Sequence, residues 1–121
     1  MTDAAAIADR YIATWNETDP QARRDLIAAG WAEDATYADP LMQAKGHAAV
    51  DGMIAAVQQR FPGFHFALDG KADGFGDNVR FSWALGPDGA DAPIKGTDFV
   101  RVEGGRLKSV TGFLDKVPAS A

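Results

Sequence analysis

Three side chains that can carry or exchange a proton stand out in the sequence: Tyr11, Asp39 and Asp98. Tyr11 and Asp98 occupy positions whose neighbours in the pattern are apolar, and Asp39 directly precedes Pro40. Removal of a proton next to a ketone needs a base for the proton and hydrogen-bond donors for the enolate oxygen. If the three side chains meet in one cavity, the sequence predicts a proton-transfer site.

Each of these residues also has a purely structural interpretation. A tyrosine in an amphipathic helix usually packs in the core with its hydroxyl at the edge. Aspartate before proline is a common turn element, because the carboxylate accepts hydrogen bonds from nearby backbone N–H groups. A β-bulge could turn Asp98 outward, or the carboxylate could pair with Arg80 or Arg101. From the sequence alone, the catalytic and the structural interpretation of each residue both remain open.

Hydrophobic periodicity predicts the helices that position these residues. A first helix is expected over about residues 3–16, and a second begins at Asp19, a suitable N-cap followed by Pro20. A short strand over 35–39 and a third helix over about 47–60 follow. The apolar faces of the three helices are predicted to comprise Ile7, Tyr11, Ile12 and Trp15, then Leu26, Ile27 and Trp31, then Val50, Met53, Ile54 and Val57.

From residue 64 onward, apolar and polar residues alternate with period two, which predicts four antiparallel strands joined by short turns. Asp98 shares strand parity with Ile94, Val100 and Val102, so we expect it to be buried, with a pKa raised by desolvation. Helices followed by strands predict an α+β domain in which three helices cover one face of the sheet. Glycines such as Gly96 could curl the sheet and leave a pocket.

Composition bounds the class of protein. The chain has 121 residues, 46% of them apolar and 24% charged, which predicts one globular domain over residues 1–121. No apolar run approaches the roughly 18 residues of a membrane span. The N-terminus carries no basic region before an apolar stretch, so a secretion signal is not expected. The absence of cysteine excludes disulfides and thiolate chemistry and fits a reducing cytoplasm.

Charge and motifs exclude several kinds of site. The formal net charge is −5 and no basic patch occurs, which argues against nucleic-acid binding. No phosphate-binding glycine motif and no serine nucleophile motif is present. The only histidines, His47 and His65, are isolated, so neither a metal site nor a cofactor is expected.

The order of elements and several motifs resemble the NTF2-like superfamily, particularly its SnoaL-like and ketosteroid-isomerase-like members. The segments that carry the resemblance are Arg10-Tyr11, the run from Ala32 to Pro40, Gly46-His47 and Gly96-Thr97-Asp98. The resemblance covers nearly the whole chain. It implies a cone-shaped fold, with three N-terminal helices packed on a curved, mainly antiparallel sheet that encloses a pocket.

The resemblance also implies roles for individual residues and a set of partners. Tyr11 would donate to the substrate oxygen, Asp39 would move the proton, and a neutral Asp98 would be the second donor. An apolar small molecule would bind the pocket, and a homodimer would form through the outer sheet face, where Phe99 is expected. The expected pocket-lining residues are Trp15, Met53, Val57, Phe81, Trp83 and Phe113.

Three functions therefore remain at this stage. The first is cofactor-independent isomerase-like or cyclase-like chemistry on a ketone. The second is epoxide opening, in which Arg80, Asp98 and Asp115 would activate a water molecule. The third is a binding module or dimeric scaffold without catalysis. One fold hosts many functions, so the pattern of residues predicts a pocket more directly than a reaction.

Overall fold

Two helices, two strands and a third helix precede the other five strands in the structure, a computed structural model that describes residues 3–88 and 91–118. The helices are α1 (Ala4–Asn16), α2 (Pro20–Gly30) and α3 (His47–Arg60). The strands are β1 (Trp31–Ala38), β2 (Gln43–Lys45), β3 (Phe64–Leu68), β4 (Asp73–Phe75), β5 (Asn78–Pro87), β6 (Ile94–Glu103) and β7 (Arg106–Lys116). Within this described part, no helix is long and apolar enough to cross a membrane.

The strands form one sheet in the order β2-β1-β7-β6-β5-β3, with β4 also paired to β5. All pairs are antiparallel except β1 with β7, which run parallel. The register between β6 and β7 shifts between Lys95 and Gly96 and again between Arg101 and Val102. Such irregularities increase local twist and curl a sheet. Three helices on a curved, mainly antiparallel sheet confirm the predicted α+β architecture.

Local sequence accounts for the helix boundaries. Asp3 caps α1 by accepting a hydrogen bond from the Ala6 N–H at 3.1 Å. Asp19 caps α2 in the same way, accepting from the Ala22 N–H at 2.8 Å, and Pro20 opens the helix as predicted. These short-range bonds fix the residue at which each helix begins.

The structure corrects the expected boundaries of the first strand and adds two strands. Trp31 was expected on the buried face of the second helix, but α2 ends at Gly30 and Trp31 begins β1. The first strand is therefore longer than the predicted 35–39 segment. Strands β2 and β4 have three residues each, too few to show the alternation that reveals a strand.

A buried ion pair ties the three helices together. Arg23, which is 4% exposed, donates through Nε to Asp51 Oδ1 at 2.7 Å and through Nη1 to Gln58 Oε1 at 3.1 Å. Gln58 in turn donates to the backbone oxygens of Trp15 and Glu17, at 3.0 and 2.8 Å. The network fixes the C-terminal end of α1 against α2 and α3, and so fixes the helix that carries Tyr11.

Candidate active site

Tyr11 and Asp98 meet in the core between α1 and β6. The Tyr11 hydroxyl donates to Asp98 Oδ2 at 2.6 Å, and the two residues are 3% and 1% exposed. The apolar stripe of α1 turns Tyr11 toward the sheet, and the period of β6 turns Asp98 inward with Ile94 and Val100. The strand parity read from the sequence is therefore confirmed. Asp98 is neither turned outward by a bulge nor paired with an arginine.

Burial dominates the acid–base behaviour of Asp98. Desolvation raises the pKa of this carboxyl to about 6, even though the hydrogen bond from Tyr11 and the nearby indole N–H of Trp83 favour the charged form. The negative charge of Asp39 adds a smaller upward contribution to the pKa. The protonated acid, which can donate a hydrogen bond, therefore predominates below pH 6.

The Tyr11 ring is surrounded by other aromatic rings. Its centroid lies 5.9 Å from the stacked Trp31 ring, 5.0 Å from the edge-on Phe81 ring and 6.2 Å from the Trp15 ring. Burial, followed by the charge of Asp98, raises the pKa of the Tyr11 hydroxyl well above its usual value. The phenol therefore keeps its proton and remains a donor at every working pH.

Asp39 occupies a tight turn beside the same site. Its Oδ1 accepts the backbone N–H groups of Leu41 and Met42, both at 2.8 Å, while Oδ2 accepts the Tyr37 hydroxyl at 2.6 Å. The structural interpretation of an aspartate before proline is thus realised in full. The same contacts point the carboxylate in one fixed direction, and Asp39 also lines the cavity described below.

Gly112 brings the two aspartates close together. A Cβ at this position would lie 2.8 Å from Asp98 Oδ1, 3.2 Å from Asp39 Cβ and 3.5 Å from the Tyr37 hydroxyl. Gly112 on β7 pairs with Asp98 on β6, so both residues face the same side of the sheet. The absence of a side chain at Gly112 leaves room for both carboxyl groups and for Tyr37.

An apolar cavity of about 220 Å³ opens beside this cluster. Tyr11, Asp39 and Asp98 all contribute to its wall. Aromatic and aliphatic side chains from α1, α3 and the sheet supply most of the remainder. The other lining residues are Trp15, Tyr37, Leu41, Met42, Val57, Arg60, Phe61, Phe66, Trp83, Leu85, Ile94, Leu114, Val117 and Pro118.

Three of the six expected lining residues are among these, namely Trp15, Val57 and Trp83, and three are not. Met53 lies in the hydrophobic core one helical turn before Val57, because the cavity opens at the C-terminal end of α3. Phe81 is 2% exposed and packs against Tyr11 instead of bordering the cavity.

Phe113 lies on the outer face of the sheet, so its expected place in the cavity wall is also corrected. It is 52% exposed, and its ring centroid lies 5.7 Å from that of Phe99. The next residue, Leu114, has the opposite parity and lines the cavity in its place.

The sequence interpretation missed other residues of the site. Tyr37 lies on β1, and Asp39 follows two residues later, just past the end of the strand. This spacing of two is the signal that places both side chains on one side. Arg60 is a cationic side chain in the cavity wall, with its guanidinium 5.6 Å from the Phe61 ring centroid. No pattern in the sequence distinguishes Arg60 from an ordinary basic residue at a helix end.

The structure does not bring together the three residues considered for epoxide opening, Arg80, Asp98 and Asp115. Arg80 is exposed and its Nη2 lies 3.1 Å from Asp73 Oδ2 on the outer side of β5. Asp115 accepts a hydrogen bond from Thr97 at 2.7 Å, and Thr97 has the opposite parity to Asp98 on β6. Because the Arg80 guanidinium lies outside the cavity, the structure excludes this alternative.

The histidines lie apart from the cavity wall. His47 Nε2 is 2.8 Å from the Trp31 carbonyl oxygen, and His65 is exposed near Asp88. Across residues 3–88 and 91–118, no group of three or more His, Asp or Glu side chains is arranged to hold a metal ion.

Comparison with known proteins identifies the family. Residues 8–110 match the family of SnoaL-like domains. The chain shares 46% sequence identity with a protein of Agrobacterium tumefaciens described as a candidate isomerase of the SnoaL-like family. The match covers 95% of this chain and 99% of that one, with a TM-score of 0.90. The chain belongs to the SnoaL-like family. No curated protein matches it.

Solved structures of lower sequence identity share the fold of this SnoaL-like chain. A Catenulispora acidiphila protein with a ketosteroid-isomerase-like fold, solved with trimethylamine, is 23% identical. The match covers 91% of this chain and 85% of that one, with a TM-score of 0.73. A candidate polyketide cyclase of Sinorhizobium meliloti is 16% identical, over 88% of this chain and 93% of that one, with a TM-score of 0.71. The NTF2-like fold expected from the sequence is confirmed.

Proposed function

We propose that this SnoaL-like protein catalyses cofactor-independent proton transfer on a flat, apolar ketone, in the manner of an isomerase or a polyketide cyclase. The observation that carries the proposal is the buried 2.6 Å hydrogen bond between Tyr11 and Asp98, in the wall of an apolar cavity that Asp39 also borders. A carboxyl group whose pKa is raised by desolvation, with a specific hydrogen-bond partner in the wall of a cavity, is a candidate functional group.

Asp39 is the proposed base. Its carboxylate would take a proton from the carbon next to the carbonyl, which leaves an enolate, and would return the proton to another carbon in an isomerisation. The hydrogen bonds from Tyr37 and from two backbone N–H groups hold it in place. Orientation of a base toward one carbon lowers the entropic part of the barrier.

Asp98 and Tyr11 are the proposed stabilisers of the enolate oxygen. Protonated Asp98 would be the direct donor, and Tyr11, whose one hydroxyl proton goes to Asp98 Oδ2, would act through that carboxyl group. Donors already fixed in a dry site stabilise developing negative charge strongly, because they need no reorganisation during the reaction. The wall of the cavity is mostly apolar apart from this cluster and Arg60, which fits a ligand with an apolar body and one polar oxygen.

The test is hydrogen–deuterium exchange at the carbon next to the carbonyl, measured by proton NMR with a panel of flat apolar ketones in heavy water. Wild-type protein should accelerate exchange for at least one ketone, and Asp39→Asn should slow that exchange by roughly a hundredfold or more, because the base is lost. Asp25→Asn, an exposed site on α2, is the matched control and should exchange at the wild-type rate. Exchange that is equally fast in Asp39→Asn would refute the role of the base.

A binding module without catalysis is the second candidate, and the geometry of Asp39 favours it. Two of the three bonds to this carboxylate, from the Leu41 and Met42 N–H groups, are those of a turn, which needs no reaction to explain them. A panel in which ketones bind the cavity but none undergoes exchange would support this candidate over the enzyme.

A further inference from the structure

Among the described residues, three that line the cavity each carry a buried polar atom without a hydrogen-bond partner. In the part of the chain that the structure describes, the buried side-chain atoms without a hydrogen-bond partner are Trp15 Nε1, Trp31 Nε1, Trp83 Nε1 and Asp98 Oδ1. Trp15, Trp83 and Asp98 line the cavity, whereas Trp31 does not. An unpaired buried donor or acceptor costs roughly 1–3 kcal/mol, so native proteins rarely keep one without a use for it.

Gly96 determines where the Trp83 indole lies. A Cβ at Gly96 would overlap Trp83 Cζ2 and would lie 2.7 Å from Cε2, the carbon bonded to Nε1. The N–H edge of the indole therefore lies directly over β6. Gly96 and Asp98 have the same parity on that strand, so this edge lies over the inward-facing side that carries the carboxyl group.

The Trp83 N–H and the Asp98 carboxyl are neighbours that do not satisfy each other. The N–H is close enough to lower the pKa of the carboxyl, yet the two groups do not form a hydrogen bond of good geometry. Oδ2 of Asp98 already accepts the Tyr11 hydroxyl, so a proton on this acid is carried by the free Oδ1. The protonated form thus presents two donors side by side, Oδ1–H and Nε1–H.

We propose that Trp83 is a ligand-binding residue whose indole N–H, together with Asp98 Oδ1–H, holds a single carbonyl or phenol oxygen of the ligand. Tyr11 is then a positioning residue: its hydroxyl donates to Asp98 Oδ2 and leaves Oδ1 for the ligand. This assignment rests on the proposed function and sharpens it, because it selects ligands with one acceptor oxygen on a flat ring. The rings of Phe66 and Trp83, with centroids 5.3 Å apart, supply an apolar surface for that ring.

The probe is 4-nitrophenol, which has a flat ring and one phenol oxygen, with binding measured by calorimetry at pH 5. Trp83→Phe keeps an aromatic ring and removes the N–H, and it should weaken binding by roughly tenfold to a hundredfold, the size of one lost hydrogen bond to a charged or strongly polar partner. Trp31→Phe also removes an unpaired buried N–H, outside the cavity wall, and keeps an aromatic ring against Tyr11, so it should bind within about twofold of wild type.

A measurement on the unaltered protein checks the same contact if Trp83→Phe folds poorly. The chain has three tryptophans, so an amide-type ¹H–¹⁵N spectrum shows their indole N–H signals separately. The Trp83 signal should move on addition of 4-nitrophenol, while the Trp31 signal stays in place. No binding to wild type, or binding that leaves the Trp83 signal and affinity unaffected, would overturn the assignment.

These outcomes separate this inference from the proposed function, because phenol binding needs no base. Trp83-dependent binding without ketone exchange would retain the oxygen site and reject the enzyme. Ketone exchange that depends on Asp39 but not on Trp83 would retain the enzyme and reject the role of the indole.

Discussion

The buried carboxyl of Asp98 makes the stability of this fold depend on pH. Its pKa in the folded protein is about 6, above the ordinary value of 3.8, so the folded state holds the proton over a range where the unfolded chain has lost it. Stability from this group is therefore greatest in acid and falls as the pH rises from about 4 to 6. A neutral residue of the same shape would avoid that loss.

Asp98→Asn should therefore stabilise the protein at pH 8, by about 1–3 kcal/mol, since the uncharged amide needs no desolvation of a carboxylate and its oxygen still accepts from Tyr11. The gain should shrink as the pH falls below 6, where wild type is protonated as well. Urea unfolding across pH 4–8 measures the difference in unfolding free energy between Asp98→Asn and wild type, with Asp25→Asn as an exposed control. A difference that is the same at every pH would contradict a raised pKa for Asp98.

At the scale of elements, glycines on a helix and on a strand should respond to alanine in opposite ways. Gly52 lies in α3 with nothing within 4 Å of an added Cβ, so Gly52→Ala should stabilise the fold by about 0.5–1 kcal/mol. Gly112→Ala would press on Asp98 and Asp39 and should destabilise it by about 1–3 kcal/mol. Thermal and urea unfolding measure the change in unfolding free energy of each variant relative to wild type. Changes of the same sign in both variants would contradict the packing described for these two glycines.

The elements also show how far sequence reasoning reaches. Period two placed Asp98 on the buried face of its strand, and the helical stripe placed Tyr11 toward the sheet, because both patterns are local. Parity reports which face a residue occupies but not where along that face a cavity opens. Phe81 was therefore expected in the cavity wall, whereas it packs beneath Tyr11. The start of β1 at Trp31 depends on its parallel pairing with Leu107, a contact no local pattern reveals.

At the scale of the whole molecule, the outer face of the sheet leaves apolar side chains uncovered. Phe99 and Phe113 are 45% and 52% exposed and contact each other edge to face. Phe75 on β4, also toward this side, is 79% exposed and borders a groove of about 430 Å³ that Phe99 also lines. Exposed aromatic patches of this kind mark interaction sites on soluble domains.

We propose that a second copy of the chain covers this face, as the resemblance to NTF2-like proteins implies. Light scattering during size exclusion should give wild type a mass near twice the 12.8 kDa of one chain. Phe99→Asp should shift the population to monomer, because a charge buried against a partner's apolar surface is costly. Leu41→Asp is the matched control: Leu41 is 77% exposed but borders the cavity, so this variant should remain dimeric. A monomeric wild type, or a dimer that tolerates Phe99→Asp, would place the contact elsewhere or reject it.

Because the cavity lies on the opposite side of the sheet, Phe99→Asp should also leave 4-nitrophenol binding within about twofold of wild type, as expected for sites that share no partners.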